Sequence, residues 1–257
     1  MKTTKLICAA MVCCAMAAGF SSCSKDDDGP NGPAVKMQLE GITITEGSST
    51  ITLSNFIYDN QGRLTSYDVN DNGDKETVSY TYNSSYIERS SSNSDVEFLL
   101  ENGVITSERY SFNSAEMDLY EYSNGNMVKW TEGYPVNNSV YQLYSWENGN
   151  PVRETQLMDG SSSYVTSFGY SELPCYIGNI PALFDEFSTL HVELIGNVDP
   201  FLQQQGYFGN LPKNLVISAK APRNEWQLSY EVNANGYPTK ITGKDENGTA
   251  VMTLTWR

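Results

Sequence analysis

A turn motif recurs along this chain of 257 residues. Each copy has apolar or aromatic residues at alternate positions, then a turn that ends in glycine, then an apolar residue two positions later. Asparagine and glycine both tolerate positive φ, so Asn-Gly between two alternating stretches is the strongest short signal of a β-hairpin. The turn glycines are Gly62, Gly103, Gly125, Gly149 and Gly236. The pattern predicts a chain built from consecutive antiparallel hairpins.

The aromatic residues of these hairpins are paired. Tyr120 and Tyr122 precede Gly125 by five and three positions, and Tyr144 and Trp146 precede Gly149 in the same way. Side chains two residues apart on a strand share one face of the sheet. This face is either packed in the core, where cross-strand aromatic pairs stabilise a sheet, or exposed as a stacking platform for a sugar or an aromatic partner. The candidate binding residues are Tyr120, Tyr122, Trp130, Tyr144 and Trp146.

The fold class follows from the number of hairpins. We expect about twelve to fourteen strands, hence an all-β domain formed by an antiparallel hairpin meander. A meander of this length curls or splits to bury a core, which predicts a twisted open sheet or a half-barrel.

Residues 173–212 break the hairpin rhythm, and we expect them to form a short helical lid or end cap. Apolar residues recur at helical spacing within 182–194. Asp199 before Pro200 is typical of a helix N-cap followed by proline at the first helical position, which predicts a second helix over 201–205.

The N-terminal region divides into two segments before the domain. Residues 1–22 combine Lys2 and Lys5 with an apolar stretch and small residues, which is typical of a secretory signal peptide. The apolar stretch is too short to span a hydrocarbon core of about 30 Å as a helix. Residues 23–35 are rich in charge, glycine and proline and are expected to be a flexible linker. We expect residues 36–257 to form a single domain, with residues 173–212 as an insertion.

Cys23 follows the signal segment directly and precedes an acidic run. This arrangement resembles the lipobox of bacterial lipoproteins in the form used by Bacteroidetes, and the acidic run resembles their export signal for the cell surface. The resemblance implies a protein attached to the outer membrane by lipid on Cys23 and exposed at the surface. Several acyl chains on one residue give lasting attachment. Cys175 would be the other cysteine of the mature chain, so no disulfide within it is possible.

The charge excludes one class of partner. The chain carries −15, and removing Lys2 and Lys5 leaves 14 basic against 31 acidic residues, or −17. This charge repels a phosphate backbone, which argues against nucleic acid binding. It also repels an anionic membrane surface, so the N-terminal lipid has to provide the membrane contact. We expect a monomer with a possible glycan or protein partner.

Motifs for metal or nucleophilic chemistry are weak. His191 is the one histidine, which removes most histidine-based metal sites, and no Gly-x-Ser-x-Gly elbow accompanies it. Asp68, Asn70 and Asn72 match the start of an EF-hand loop, but Ser79 stands where a glutamate is needed. A hairpin turn is the better interpretation. We predict no catalytic residue, no metal and no cofactor.

Acidic residues leave a hydrolase open as an alternative. Asp185, Glu186, Glu121 and Glu147 are candidates for the two carboxylates of a glycosidase. That chemistry needs a separation of about 5–5.5 Å or about 6.5–9.5 Å between the two groups, which spacing in the sequence does not establish.

Two segments resemble known families. Tyr58-Asp59, followed by Gly62-Arg63-Leu64, resembles the YD repeat of Rhs-type shells. The segment Gly206-Tyr-Phe-Gly-Asn-Leu-Pro is similar to a late motif of a Bacteroidetes family known as domain of unknown function four-five-nine-five, although basic residues expected there are missing. The resemblance covers roughly residues 50–257. It implies a surface lipoprotein and carries no activity.

The first functional hypothesis is a non-enzymatic binding module for a glycan, a peptide or a protein partner. The alternatives are a half-barrel carrier of lipid or lipoprotein, by analogy of shape, and a carboxylate-based glycoside hydrolase.

Overall fold

The computed structural model describes residues 36–92, 94–110, 116–135, 140–158, 161–190, 192, 195, 198–222 and 225–257, except the side chains of 161–163. The predicted signal peptide, the linker, Cys23 and His191 lie outside these residues. Within the described ranges no helix is long and apolar enough to cross a membrane.

The domain is built from antiparallel strands that follow one another in a meander. In chain order the sixteen strands are β1 Leu39–Glu46, β2 Ser49–Tyr58, β3 Leu64–Asp71, β4 Asp74–Tyr82, β5 Tyr86–Ser90, β6 Asp95–Glu101, β7 Val104–Tyr110, β8 Met117–Ser123, β9 Asn126–Tyr134, β10 Val140–Glu147, β11 Asn150–Met158, β12 Ser161–Pro174, β13 Asn214–Lys220, β14 Glu225–Val232, β15 Pro238–Lys244 and β16 Thr249–Trp256. The all-β class and the hairpin meander are confirmed.

The sheet closes on itself, so the predicted open sheet or half-barrel is wrong. Strand β1 pairs with β16, with Ile42 opposite Leu254 and Ile44 opposite Met252, and every other strand pairs with its neighbours in the chain. Closure removes the unpaired edges that an open sheet would expose. Alternation within a strand does not show whether that strand is an edge, so the sequence pattern did not predict the closure.

The turns have the backbone conformation that their residues favour. Asn102 and Gly103 have φ of 53° and 82°, and Asn124 and Gly125 have 52° and 79°. Positive φ at both central residues is the requirement of the tight hairpin turn that matches the twist of the strands. The predicted hairpins at these glycines are therefore confirmed.

Between β12 and β13 the described residues, 175–190, 192, 195 and 198–213, pack inside the barrel and are called the plug below. It contains a 3₁₀ turn at Ile180–Ala182 and two helices, α1 Leu183–Phe187 and α2 Pro200–Gln204. Its buried apolar side chains include Ile177, Ile180, Leu183, Phe184, Leu190, Val192, Ile195, Val198, Phe201, Leu202 and Phe208. The predicted lid or end cap is therefore wrong, because this segment lies inside the barrel. A sixteen-stranded barrel is too wide for the side chains of its wall alone to fill, so a further segment has to occupy the interior.

Helix α2 begins as predicted. The Asp199 side chain accepts hydrogen bonds from the backbone N–H of Phe201 at 3.0 Å and of Leu202 at 2.9 Å, and Pro200 is the first helical residue. Helix α1 has five residues and is shorter than the apolar spacing within 182–194 predicted.

The plug is fixed to the turns at one end of the barrel. The N–H of Asn210 donates to Gly125 O at 2.8 Å, and the N–H of Lys213 donates to Gly149 O at 2.9 Å. Thr189 donates its N–H to Glu46 Oε2 at 2.8 Å. Because Glu46 ends β1 at the opposite rim, the plug extends from the glycine turns to the other end of the barrel.

Candidate functional site

Seven of the eight even-numbered strands carry an aromatic residue that forms a repeated structural contact with the preceding strand. Tyr122, three residues before Gly125, donates its hydroxyl to Ile105 O at 2.6 Å, and Ile105 lies two residues after the preceding turn glycine. The same contact joins Tyr58 to Leu39, Tyr82 to Leu64, Trp146 to Met127, Tyr170 to Pro151, Tyr230 to Val216 and Trp256 to Pro238, at 2.6–2.9 Å. We call this set the aromatic ladder. Each contact joins adjacent strands and so links one glycine-turn hairpin to the hairpin before it around the barrel.

All five predicted binding residues point into the barrel. Tyr120, Trp130 and Tyr144 are buried, and Tyr122 and Trp146 are half-buried members of the aromatic ladder. The Tyr120 ring packs edge-on against Phe208 of the plug, with centroids 5.1 Å apart. The shared face was predicted correctly, but it faces the interior and offers no external platform. Of the five, Trp130 lines the cavity described next.

A cavity of about 510 Å³ lies between the plug and the inner wall. Its volume is within the range of small-molecule sites, about 300–1,000 Å³. Its polar lining consists of Arg89, Glu108, Gln142, Glu154, Asn179, Asp185, Glu186 and Asp199, and its aromatic lining consists of Tyr67, Phe98, Tyr110, Trp130 and Phe201. Asp185 and Glu186 on α1 line the cavity with exposed side chains.

Two of the acids occupy a repeat position that is apolar or aromatic in the other hairpins. The residue five positions after the turn glycine is buried in each hairpin, and in chain order these residues are Tyr67, Glu108, Trp130, Glu154 and Ile241. A carboxylate at an inward, buried position is costly unless it is paired or has a role. Glu108 and Glu154 are therefore exceptions, since the same position holds an apolar or aromatic residue in the other three hairpins.

Because of a β-bulge, alternation in the sequence does not predict that Glu108 and Glu154 face inward. On β7 the register passes from Ile105, opposite Leu100, to Ser107, opposite Leu99, so Thr106 is an extra residue. The insertion turns Glu108 inward, where strict alternation from Ile105 would turn it outward. The same shift precedes Glu154 on β11. An alignment of the hairpin sequences on their turn glycines would have shown that both acids occupy a position that is apolar or aromatic in the other hairpins.

Glu108 lies beside a second buried acid. It is the cross-strand partner of Asp118 on β8. Asp118 accepts hydrogen bonds from the N–H of Gly133 at 2.9 Å and from Trp130 Nε1 at 3.2 Å, and Tyr110 donates its hydroxyl to Glu108 at 3.4 Å. Burial, with a smaller contribution from Asp118, raises the pKa of Glu108 to about 8. Near neutral pH the Glu108 carboxyl is therefore mostly protonated.

One cationic side chain lines the cavity among the residues described there. Arg89 Nε lies 3.7 Å from Asp199 Oδ2, and Tyr80 donates its hydroxyl to the same oxygen at 2.8 Å. Because Asp199 also caps α2, this network holds the plug against β4 and β5. Although the Glu186 side chain is exposed to the cavity, the surrounding wall and plug separate it from bulk water and raise its pKa, and the charge of Arg89 opposes that shift.

The structure separates the other acids that the sequence had suggested as a pair. Asp185 and Glu186 line the cavity, whereas Glu121 forms an ion pair with Lys129 at 2.7 Å and Glu147 is exposed next to a glycine turn. These four residues therefore do not converge on one site.

The segment that resembled an EF-hand is a hairpin turn, as predicted. Asn72 has φ of 50° between β3 and β4, and Asp68 accepts hydrogen bonds from Asn55 and Thr77, each at 2.7 Å. Among the residues described, no group of three or more His, Cys, Asp or Glu side chains is arranged to hold a metal ion.

Comparisons with solved structures show the same fold. A crystal structure of a porin-like protein from Bacteroides uniformis ATCC 8492 superposes with a TM-score of 0.63 at 13% identity, and one from Bacteroides vulgatus ATCC 8482 with 0.56 at 14%. Each match covers 86% of this chain and 99% of the other. No curated protein matches significantly. Residues 56–256 match the family described as domain of unknown function (DUF4595) with porin-like fold, and the chain belongs to that family.

Proposed function

We propose that this protein is a non-enzymatic binding module that takes a small polar ligand, such as a glycan fragment, into the cavity between plug and wall. The observation that carries the proposal is the cavity itself, which combines aromatic side chains with converging polar groups inside a barrel that is otherwise densely packed. A pocket of this kind is the usual form of a small-molecule site. Its volume favours a small ligand over a protein partner.

We also propose that the barrel faces water and is held at the outer membrane by the lipid on Cys23. On β1 the inward residues are Ile42 and Ile44, while Thr43 and Thr45 face outward. The paired strand β16 repeats this, with Met252 and Leu254 inward and Thr253 and Thr255 outward. A membrane-spanning barrel has the opposite polarity, with an apolar outer band about 25 Å tall and a polar interior.

The interior supports a binding module better than a lipid carrier, and its acids keep the glycosidase as the second candidate. A lipid carrier needs apolar space, but the plug fills the barrel and the remaining cavity is lined by acids. A glycosidase needs a raised-pKa acid and a second, available carboxylate. Glu108 meets the first condition, and Glu154, Asp185 or Glu186 would have to meet the second, because the neighbouring Asp118 is held by Trp130 and Gly133 as a structural acceptor.

The proposal can be tested by filling the cavity. Gln142 lines it on β10, and the next residue, Leu143, is 39% exposed on the outer face. Saturation-transfer NMR would be recorded on the full mature protein in detergent with a mixture of neutral, cationic and anionic trisaccharides. We expect Gln142→Trp to abolish the transfer signals and Leu143→Trp to retain them, with both variants folded by circular dichroism. Equal signals from the two variants would place binding elsewhere.

A further inference from the structure

We infer that one rim of the barrel is the surface that meets the lipid bilayer, and that the opposite rim faces away from it. The rim that meets the bilayer, called the glycine rim, carries the turns at Gly62, Gly103, Gly125, Gly149 and Gly236. The other end of the barrel is called the distal rim. The inference rests on the proposed lipid attachment at Cys23 and specifies how the attached barrel is oriented.

The first observation is the point at which the chain enters the barrel. Met37 donates its N–H to the Tyr237 hydroxyl at 3.2 Å, and Tyr237 directly follows Gly236. Lys36 therefore lies at the glycine rim. Twelve residues separate Lys36 from Cys23. A flexible segment of that length has a mean reach of about 20 Å and a fully extended limit of about 40 Å, so the lipid is tethered close to the glycine rim.

The distal rim is separated from this tether by the height of the barrel. Strand β2 has ten residues. With a rise of about 3.3 Å per residue and the usual strand tilt of about 40°, it spans about 25 Å along the barrel axis. For the distal rim to touch the bilayer, the linker would have to run along this whole height. Because the height exceeds the mean reach of the linker, contact through the glycine rim is favoured.

The second observation is that the two rims differ in charge. At the distal rim, the described residues that end a strand or connect two strands include two bases, Lys220 and Lys244, and eight acids, Glu46, Asp71, Asp74, Asp95, Glu116, Glu225, Asp245 and Glu246. At the glycine rim, with the plug counted only where it joins β12 and β13, the corresponding residues are three acids, Asp59, Glu101 and Glu147, and four bases, Lys36, Arg63, Lys213 and Arg257. An anionic bilayer surface therefore repels the distal rim far more strongly than the glycine rim.

The third observation is that the plug closes the barrel at the glycine rim. Besides the bonds to Gly125 and Gly149, the carbonyl of Tyr207 accepts a hydrogen bond from the N–H of Ile105 at 2.8 Å. At the distal end of β11, Met158 lies on the same face of the strand as Glu154, which lines the cavity, and is 46% exposed. The closed end of the barrel is therefore the end that the linker brings to the lipid.

Cysteine variants at matched serines locate the two rims relative to the bilayer. Ser84 lies in an exposed turn between β4 and β5 at the glycine rim, and Ser48 lies in an exposed turn between β1 and β2 at the distal rim. A thiol-reactive donor dye would label the introduced cysteine, because Cys175 is buried and Cys23 would carry the lipid. The full mature, lipidated protein would be bound to vesicles of phosphatidylcholine and phosphatidylglycerol, four parts to one, with an acceptor dye on the lipid headgroups.

The expected result is a difference in energy transfer between the two rims. Ser84→Cys should show at least about twice the transfer of Ser48→Cys, because the two turns are separated by the height of the barrel, about 25 Å. Ser123→Cys is a second position at the glycine rim, at the exposed end of β8 on another side of the barrel. It should give the same transfer as Ser84→Cys.

Each result supports or overturns the inference. Equal transfer from Ser84→Cys and Ser48→Cys, or the reverse order, overturns it. Transfer from Ser123→Cys as low as that from Ser48→Cys also overturns it, because the barrel would then lie on its side. Flotation of the vesicles tests the attachment separately: protein that stays behind contradicts the proposed lipid on Cys23 and the orientation with it. Protein that floats and shows equal transfer overturns the orientation alone.

Discussion

The two halves of the barrel interior are lined by the same repeat and yet differ in chemistry. On the side of β2 and β3, Phe56, Tyr67 and Phe201 form an aromatic cluster with centroids 4.9–5.8 Å apart. On the side of β7 to β11, Glu108 and Glu154 line a cavity. Both halves contact the plug, since Tyr120 of β8 packs against Phe208, but buried acids stand at the inward repeat position on the second side alone among the hairpins compared.

The packed half should respond most strongly to truncation. Phe201→Ala removes a ring that is buried against Tyr67 and Phe56, and we expect it to lower the free energy of unfolding by about 3–5 kcal/mol. Denaturant unfolding measures the loss. Leu143→Ala, on the exposed outer face, is the control and should change stability by less than about 1 kcal/mol. Similar losses for the two variants would show that the packed half does not hold the plug.

The acidic half should show its character in the pH dependence of stability. Because the pKa of Glu108 is raised to about 8 in the folded protein, the folded state binds this proton more tightly than the unfolded state does. Stability therefore falls as pH rises from about 5 to about 9. Glu108→Gln cannot ionise, so we expect it to be more stable than wild type at pH 9 by on the order of 3 kcal/mol and to show a flatter profile.

The control for this profile lies on the other face of the sheet. Glu97 forms an ion pair with Arg109 at 2.9 Å and is partly exposed. Glu97→Gln should leave the slope between pH 5 and pH 9 unchanged. A wild-type stability that rises over this interval, or a Glu108→Gln profile parallel to the wild-type one, would contradict the assignment of a buried, protonated Glu108.

The difference between the two halves also marks the limit of prediction from the sequence. Alternation and Asn-Gly turns predicted the hairpins and the shared face of Tyr120 and Tyr122, because these are local properties of the chain. The pairing of Ile42 with Leu254 joins residues more than 200 positions apart, and the sequence of neither strand indicates that the two strands pair. The apolar side chains of the plug, such as Phe184, would be buried under a lid as well as inside a barrel.

The cavity was missed for a different physical reason. A bulge follows the turn glycine in each hairpin and moves the inward positions by one residue, so strict alternation from Ile105 would place Glu108 on the outer face. Asp185 and Glu186 were recognised as acids of interest, but their partners in space come from strands far away in the chain. Conversely, Glu121 was grouped with them, although it faces outward beside Lys129.

The contribution of the contact between the plug and a glycine turn to stability can be measured by comparing substitutions at two glycines of similar backbone conformation. Gly209 has φ of 78°, and an added Cβ would lie 2.3 Å from Gly125 O. Gly103 has φ of 82° and open space around the same position. Gly103→Ala should cost about 1 kcal/mol through backbone strain alone, and Gly209→Ala should cost at least about 2 kcal/mol more through displacement of the plug. Equal losses in denaturant unfolding would mean that this contact is loose.

The aromatic ladder should make the smallest and most uniform contribution, because it runs around both halves of the barrel. Tyr58 donates to Leu39 O at 2.9 Å beside the packed half, and Tyr170 donates to Pro151 O at 2.6 Å beside the acidic half. Tyr58→Phe and Tyr170→Phe should each lower stability by about 1 kcal/mol, the usual net value of one hydrogen bond, and the double variant should lose the sum. Tyr134→Phe, with an exposed side chain, is the control. If only one of the two variants loses stability, the contribution of the aromatic ladder depends on what packs inside the barrel next to it. Equal losses would show that the ladder stabilises the wall independently of the interior.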